Sequence, residues 1–188
     1  MLTREDILNA AEDVLRRYGP AKTNVVDVAR ALNVSHGTVY RHFPSKAALR
    51  EAVAERFLQR VSEPLEEIVD APGEPVDRLR NWFDALIASK RARALEDPEL
   101  FATYVALAAE SGDVIQRHVD HLIAQLTQIV GDDKLATAMF DATARFHDPR
   151  HAAEWGEPGV DEAFEGVWVL LAQAIARPAS SAHSSAAR

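Results

Sequence analysis

The residues of this chain best suited to chemistry crowd into one stretch, VSHGTVYRHFPSKA at 34–47. Ser35, Thr38 and Tyr40 bring hydroxyls, His36 and His42 bring imidazoles, and Lys46 brings an ammonium. Such groups, held side by side on a short polar helix face, can donate hydrogen bonds and charge into a groove lined by phosphates and base edges. A second set is histidine. His118 and His121 stand at i and i+3, which puts them on one helix face. His147 and His151 lie four apart, with Pro149 between them. Neutral imidazoles with acids nearby could hold Zn²⁺ or Ni²⁺, although paired histidines more often serve structure or surface. Catalytic signatures are absent. The sequence has no glycine-rich phosphate loop, no G-x-S-x-G, no H-E-x-x-H and no cysteine, so a protein that is not an enzyme is expected.

The groups at 34–47 need a rigid mount. Ser35 can cap a helix by accepting an orphan amide, and Pro44 stops it. Only about eight residues separate these signals, roughly 12 Å of helix at 1.5 Å per residue. A helix that short is not stable alone, so its neighbours must hold it. Upstream, Thr3 can cap a first helix whose Ile7, Leu8, Ala11, Val14, Leu15 and Tyr18 form one apolar face before Gly19-Pro20 ends it. Thr23 or Asn24 can cap a second, VVDVARAL, with Val25, Val28, Ala29 and Leu32 turned inward. Asn33 tolerates the left-handed turn that follows. Two short helices joined by so tight a turn make a helix-turn-helix, plugged by Val34, Val39 and Phe43.

From Ser45 a long fourth helix is expected, with Leu49, Val53, Phe57, Val61 and Leu65 at roughly four-residue intervals and a kink or break at Pro64. The loop DAPGEPV leads to a helix near 76–93. Asp97-Pro98 opens the next, and Ser111-Gly112 separates that from another. A helix follows Gly131-Asp132-Asp133 to His147, Asp148-Pro149 starts a short extra one, and 160–176 forms the last. No strand pattern appears, so the fold class is all-α with about nine helices. The tail RPASSAHSSAAR, 177–188, reads as disordered.

The 188 residues carry a net charge of −8, which seems to oppose binding of an anionic polymer. The distribution reverses that impression. Residues 1–60 hold ten Lys and Arg against seven Asp and Glu, whereas 61–188 hold eleven against twenty-two. A basic front on an acidic body can grip phosphate and limit attraction elsewhere. The amphipathic, acid-bearing start is unlike a secretory signal, and no run approaches a membrane span. A cytoplasmic protein is expected, with no membrane partner.

The run TNVVDVARALNVSHGTVYRHFPSKAAL, 23–49, resembles the DNA-binding signature of the TetR family of regulators. The matching parts are the Ala-rich second helix, "NVS", the "GTVYRHF" core and "PSK" entering a long helix. Asn33 departs from the family's common glycine, and both residues tolerate a positive φ. The resemblance implies a helix-turn-helix DNA-binding domain over 1–47, with the connecting helix from 45. A helical effector-binding and dimerisation domain over 48–176 then controls that helix's tilt. It also implies contacts with a double-stranded DNA operator from Asn24, Val25, Ser35, His36, Gly37, Thr38, Val39, Tyr40, His42 and Lys46. Gly37 costs about 1 kcal/mol inside a helix relative to alanine, which close approach to DNA would explain. Thr38 suits a base edge or thymine methyl, and His36 is the foremost candidate for a base contact. Tyr40, His42 and Lys46 suit phosphates.

The signature does not extend into the body, where expectations rest on residue type. Trp82, Phe83, Leu86, Phe101, Tyr104, Phe140, His147, His151 and Trp155 are the candidate walls of an effector pocket; plain core is the alternative. Phe164, Val167, Trp168 and Leu171 are candidates for a homodimer seam. The function expected is a transcriptional regulator, a repressor released from a palindromic operator by a small-molecule effector, with no cofactor required. An activator, a metal-responsive regulator of the same fold, and a helical interaction protein without DNA binding are the alternatives.

Overall fold

The computed structural model describes residues 2–110 and 112–176, and the expected disordered tail at 177–188 lies outside them. Among the described residues every regular element is a helix. They are α1 (Arg4–Tyr18), α2 (Val25–Ala31), α3 (His36–Tyr40), α4 (Lys46–Val69), α5 (Pro75–Glu96), α6 (Pro98–Ala109), α7 (Gly112–Val130), α8 (Asp133–Ala142), α9 (Ala144–His147) and α10 (Val160–Ala176). Two 3-10 helices, Pro20–Lys22 and Pro149–Glu154, complete them.

The helix starts follow from capping chemistry. Thr3 and Asp6 form a reciprocal capping box on α1, and Asn24, Ser35 and Asp97 each accept a first-turn amide. Ser45 accepts the Ala48 amide at the start of α4. Asp132 caps α8 through the Leu135 amide, and Asp148 caps the second 3-10 helix through Arg150.

The chain divides into two compact units. The first contains residues 1–64 and 89–122, so α1–α3, most of α4, the end of α5, α6 and most of α7 belong together. Glu12 ties α1 to α4: its Oε1 accepts from Arg56 Nε at 2.9 Å, and Oε2 takes Arg60 Nη1 at 3.1 Å. Arg56 Nη2 lies 2.7 Å from Oε2 as a close ion pair rather than an aligned hydrogen bond. Phe57 of α4 stacks on Tyr104 of α6, with centroids 4.3 Å apart and planes 5° from parallel, and meets Phe101 edge-on. Burial of the Tyr104 phenol, followed by the nearby Glu12 charge, pushes its pKa up to about 12.

Of the kink or break expected at Pro64, the break is corrected, because α4 runs unbroken from Lys46 to Val69. A proline there cannot donate to the Arg60 carbonyl one turn back. Arg93 of α5 supplies the missing donor, its Nη2 lying 3.3 Å from that oxygen. The boundary between the two units nonetheless falls at Pro64. Pro64→Ala should restore the internal helix bond and raise stability by about 1–2 kcal/mol, after allowing for the freer unfolded chain. A higher thermal midpoint checks this, and a lower one would show that the ring itself is needed.

The second unit contains 65–88 and the chain from 123 onward. Trp82, Phe83 and Leu86 are fully buried, with the two rings edge to face at 5.1 Å. The indole N–H of Trp82 donates to Gln125 Oε1 at 2.9 Å. The single helix expected up to His147 is interrupted at Thr143. That buried hydroxyl donates toward the Met139 and Phe140 carbonyls and lies 3.1 Å from His147 Nε2. Such back-bonding bends a helix, and the segment divides into α8 and α9.

Candidate nucleic-acid interface

The turn between α2 and α3 is closed by backbone geometry. Asn33 adopts φ +53°, and the Val34 amide reaches back to the Ala29 carbonyl at 3.0 Å. This is the six-to-one bond of a left-handed helix end, and asparagine is one of the few residues that allows it. Packing of α2 on α1 and of α3 on α2 completes the mount. Arg4 locks the far end of α3, its guanidinium 4.2 Å from the centre of the buried Phe43 ring and its Nη1 3.2 Å from the His42 carbonyl.

The predicted DNA-facing residues separate into two groups. Ser35, His36, Gly37, Tyr40 and Lys46 are exposed, Tyr40 to 45%, and Thr38 and His42 are half-buried. Ser35 Oγ accepts the Thr38 amide and lies 2.9 Å from the Thr38 hydroxyl, which orients both toward the same end of α3. At Gly37 an added Cβ would meet only Ser35 Oγ at 3.9 Å, so nothing within the chain requires glycine there. Val25 and Val39 keep the inward places that their spacing gave them, and the side-chain contacts with DNA that the resemblance implied for them are corrected. The two valines are 1% and 0% exposed, and their side chains fill the core of the mount rather than its surface. Asn24 is occupied by structure: its Oδ1 accepts the Val26 and Asp27 amides, and its amide donates to Asp27 Oδ2 at 2.6 Å.

Two exposed cations were missing from the predicted set. Arg41 closes α3 between Tyr40 and His42, and Lys22 sits in the 3-10 helix before α2. The signal for Arg41 was available in the sequence, as a basic residue inside the same polar run.

The predicted body residues divide between the two units. Phe101 and Tyr104 belong to the first unit and pack against Phe57. Trp82, Phe83, Leu86, Phe140, His147, His151 and Trp155 belong to the second. There His147 is buried against the Phe140 ring at 4.5 Å, with Nε2 3.2 Å from the Phe140 carbonyl. Trp155 is buried and donates to the Arg145 carbonyl at 3.0 Å, while His151 Nδ1 meets Glu154 at 3.1 Å. These contacts give both histidines structural work. No group of three or more His, Cys, Asp or Glu is placed to hold a metal among the described residues.

Of the four expected dimer residues, Phe164 and Leu171 need correction. Phe164 is buried edge-on to Phe146 at 5.2 Å, and Leu171 is buried too, so both are core of the second unit. Val167 and Trp168 are half-buried, with the Arg80 guanidinium 5.3 Å from the Trp168 ring. Bonds to Glu165 and then Asp84 raise the pKa of Arg80 and fix it there. The large apolar side chains that α10 leaves exposed are Val169 at 54% and Leu170 at 66%. Leu170 borders an open groove completed by Gln173, Ala174 and Ala176.

Comparison with known proteins agrees with this geometry. A family model described as bacterial regulatory proteins, tetR family, matches residues 7–53. A second, described as tetracyclin repressor-like, C-terminal domain, matches 75–134 and 132–168. An HTH-type transcriptional repressor of Mycobacterium tuberculosis is 36% identical over 91 residues, covering 48% of this chain and 45% of the relative. The HTH-type transcriptional regulator TtgR of Pseudomonas putida is 33% identical over 101 residues, covering 50% and 48%. The chain spans about half the length of the curated relatives it matches. Among solved structures, BioQ with its double-stranded DNA operator is similar at TM-score 0.58 and 19% identity, covering 92% of this chain and 99% of that one. A TetR-like transcriptional regulator from Rhodococcus sp. RHA1 gives 0.58 and 23%, covering 95% and 100%. No described helix is long and apolar enough to cross a membrane. With one model matching the helix-turn-helix and another the helices of the body, the chain belongs to the TetR family of bacterial regulatory proteins.

Proposed function

We propose that this chain is a sequence-specific DNA-binding transcriptional regulator that acts in the cytoplasm as a homodimer. It is a repressor that a small-molecule effector releases from a palindromic operator, and it requires no cofactor and catalyses no reaction. The observation that carries the reading is the capped, five-residue α3, which presents Ser35, His36, Gly37 and Tyr40 outward on a buried mount. Open space at Gly37 suits a surface that comes close from outside the chain. Lys46 at the first turn of α4 adds charge where helix amides favour phosphate. The matched relatives are named as transcriptional regulators, one of them a repressor, and BioQ is seen with its operator.

Two copies of α3 would read two half-sites about one helical turn, roughly 34 Å, apart. The exposed Val169 and Leu170 favour α10 as the face that meets the second copy. Effector binding then works by favouring a separation of the two heads that no longer fits adjacent grooves, which demands different effector affinities in the two states. Selection from a random duplex pool tests the reading. A palindromic consensus is expected, and no enrichment at low salt would overturn it. Tyr40→Ala should weaken binding to the recovered duplex about tenfold while leaving the melting temperature unchanged, as loss of one phosphate contact would. Unchanged affinity would remove Tyr40 from the contact set.

A further inference from the structure

The ten Lys and Arg of residues 1–60 divide by partner. Arg16, Arg30, Arg50, Arg56 and Arg60 each pair with a carboxylate. Among the described residues Arg4, Arg17, Lys22, Arg41 and Lys46 do not, and all five are exposed. Of these, Arg4 is the one whose head group is held. Its guanidinium carbon lies 4.2 Å from the centre of the Phe43 ring, and its Nη1 donates to the His42 carbonyl at 3.2 Å. Phe43 is fully buried, so the ring is a fixed platform. Neighbouring Asp6 accepts the Thr3 amide at 2.8 Å and does not pair with Arg4. The carbonyl takes one of five N–H donors and cancels no charge.

We propose that Arg4 is a DNA-backbone contact: its guanidinium, stacked on Phe43 and bonded to the His42 carbonyl, donates its remaining N–H groups to a phosphate beside the end of α3. The planar fork suits the paired oxygens of a phosphate. Ordering so long a side chain ordinarily opposes binding, and here the free protein has already ordered it. Its place is at the turn from α3 to α4, with exposed Tyr40 before and exposed Lys46 after in the chain. The contact extends the DNA-facing surface onto α1. This inference deepens the proposed function and rests on it for the duplex. An arginine that only braced the turn would act through the placement of α3, with the salt dependence of binding unchanged. A phosphate contact displaces counterions, so losing it flattens that dependence.

The test measures binding of the full-length protein to the duplex recovered by selection, and to one of random sequence, across a series of sodium chloride concentrations. Arg4→Met keeps an unbranched side chain for Phe43 and removes the charge. It should weaken both duplexes about tenfold at low salt and make the slope of log affinity against log salt shallower by about 1. Arg4→Lys should restore most of the slope. Lys134→Met removes an equal charge from an exposed position of the second unit and should leave the slope as it was. An unchanged slope in Arg4→Met overturns the inference, and so does an equal flattening in Lys134→Met. Should Arg4→Met fail to fold, Arg4→Gln carries the same expectations. Failure to recover an operator, with the slope on the random duplex still flattened by Arg4→Met, would defeat the regulator reading and leave the phosphate contact standing.

Discussion

Glu12→Ala should lower the unfolding free energy by about 3–5 kcal/mol, the range found when one partner of a buried ion pair is removed. The carboxylate is 6% exposed and is the shared acceptor for two arginines of α4. Arg56 is itself mostly buried, so removing Glu12 strands a guanidinium that cannot easily reach water. Arg60 is half exposed and is rehydrated cheaply, so Arg60→Ala should cost no more than about 1 kcal/mol. That difference separates a stranded charge from a lost attraction. Urea unfolding of the three proteins checks it, and equal losses for the two variants would mean that the network acts only through general packing. Because Glu12 joins α1 to α4, Glu12→Gln should also loosen the helix-turn-helix on its long helix. Fewer slow-exchanging amides in α1 are the expected sign.

Trp82→Ala should cost about 3–5 kcal/mol in the second unit. The indole is fully buried beside Phe83, Leu79 and Leu86 at the centre of α5, and substitution leaves a cavity there. It also removes the N–H that the buried Gln125 carbonyl accepts from across the unit. Trp82→Phe keeps most of the apolar volume and should recover more than half of the loss. Chemical denaturation with tryptophan fluorescence from Trp155 and Trp168 checks both. A small loss in Trp82→Ala would mean that the site collapses around the missing ring, or that it holds a ligand-sized space in the native protein.

Much of this molecule was legible because its helix ends are written in short-range chemistry. Thr3, Ser35, Asp97-Pro98 and Asp148-Pro149 cap the helices their side chains suggested, and Asn33 takes the positive φ that its short amide tolerates. What failed depended on partners distant in sequence. Nothing near Pro64 announces that Arg93 will supply its missing donor, and nothing near Thr143 announces that its hydroxyl will divide a helix. The same limit governs the functional surface. Periodicity could not say that α10 would bury Phe164 and Leu171 while leaving Val169 and Leu170 exposed. In α10 the apolar residues cover more than one face, and only packing decides which face is inside.

Hydroxyl-radical footprinting on the duplex recovered by selection tests the proposal that α3 is one of two reading heads on a symmetric regulator. Two protected patches are expected on one face of the DNA, separated by one helical turn or a whole multiple of about 34 Å, with both patches weakened in Tyr40→Ala. A single protected patch, or protection that does not follow the recovered sequence, would contradict it.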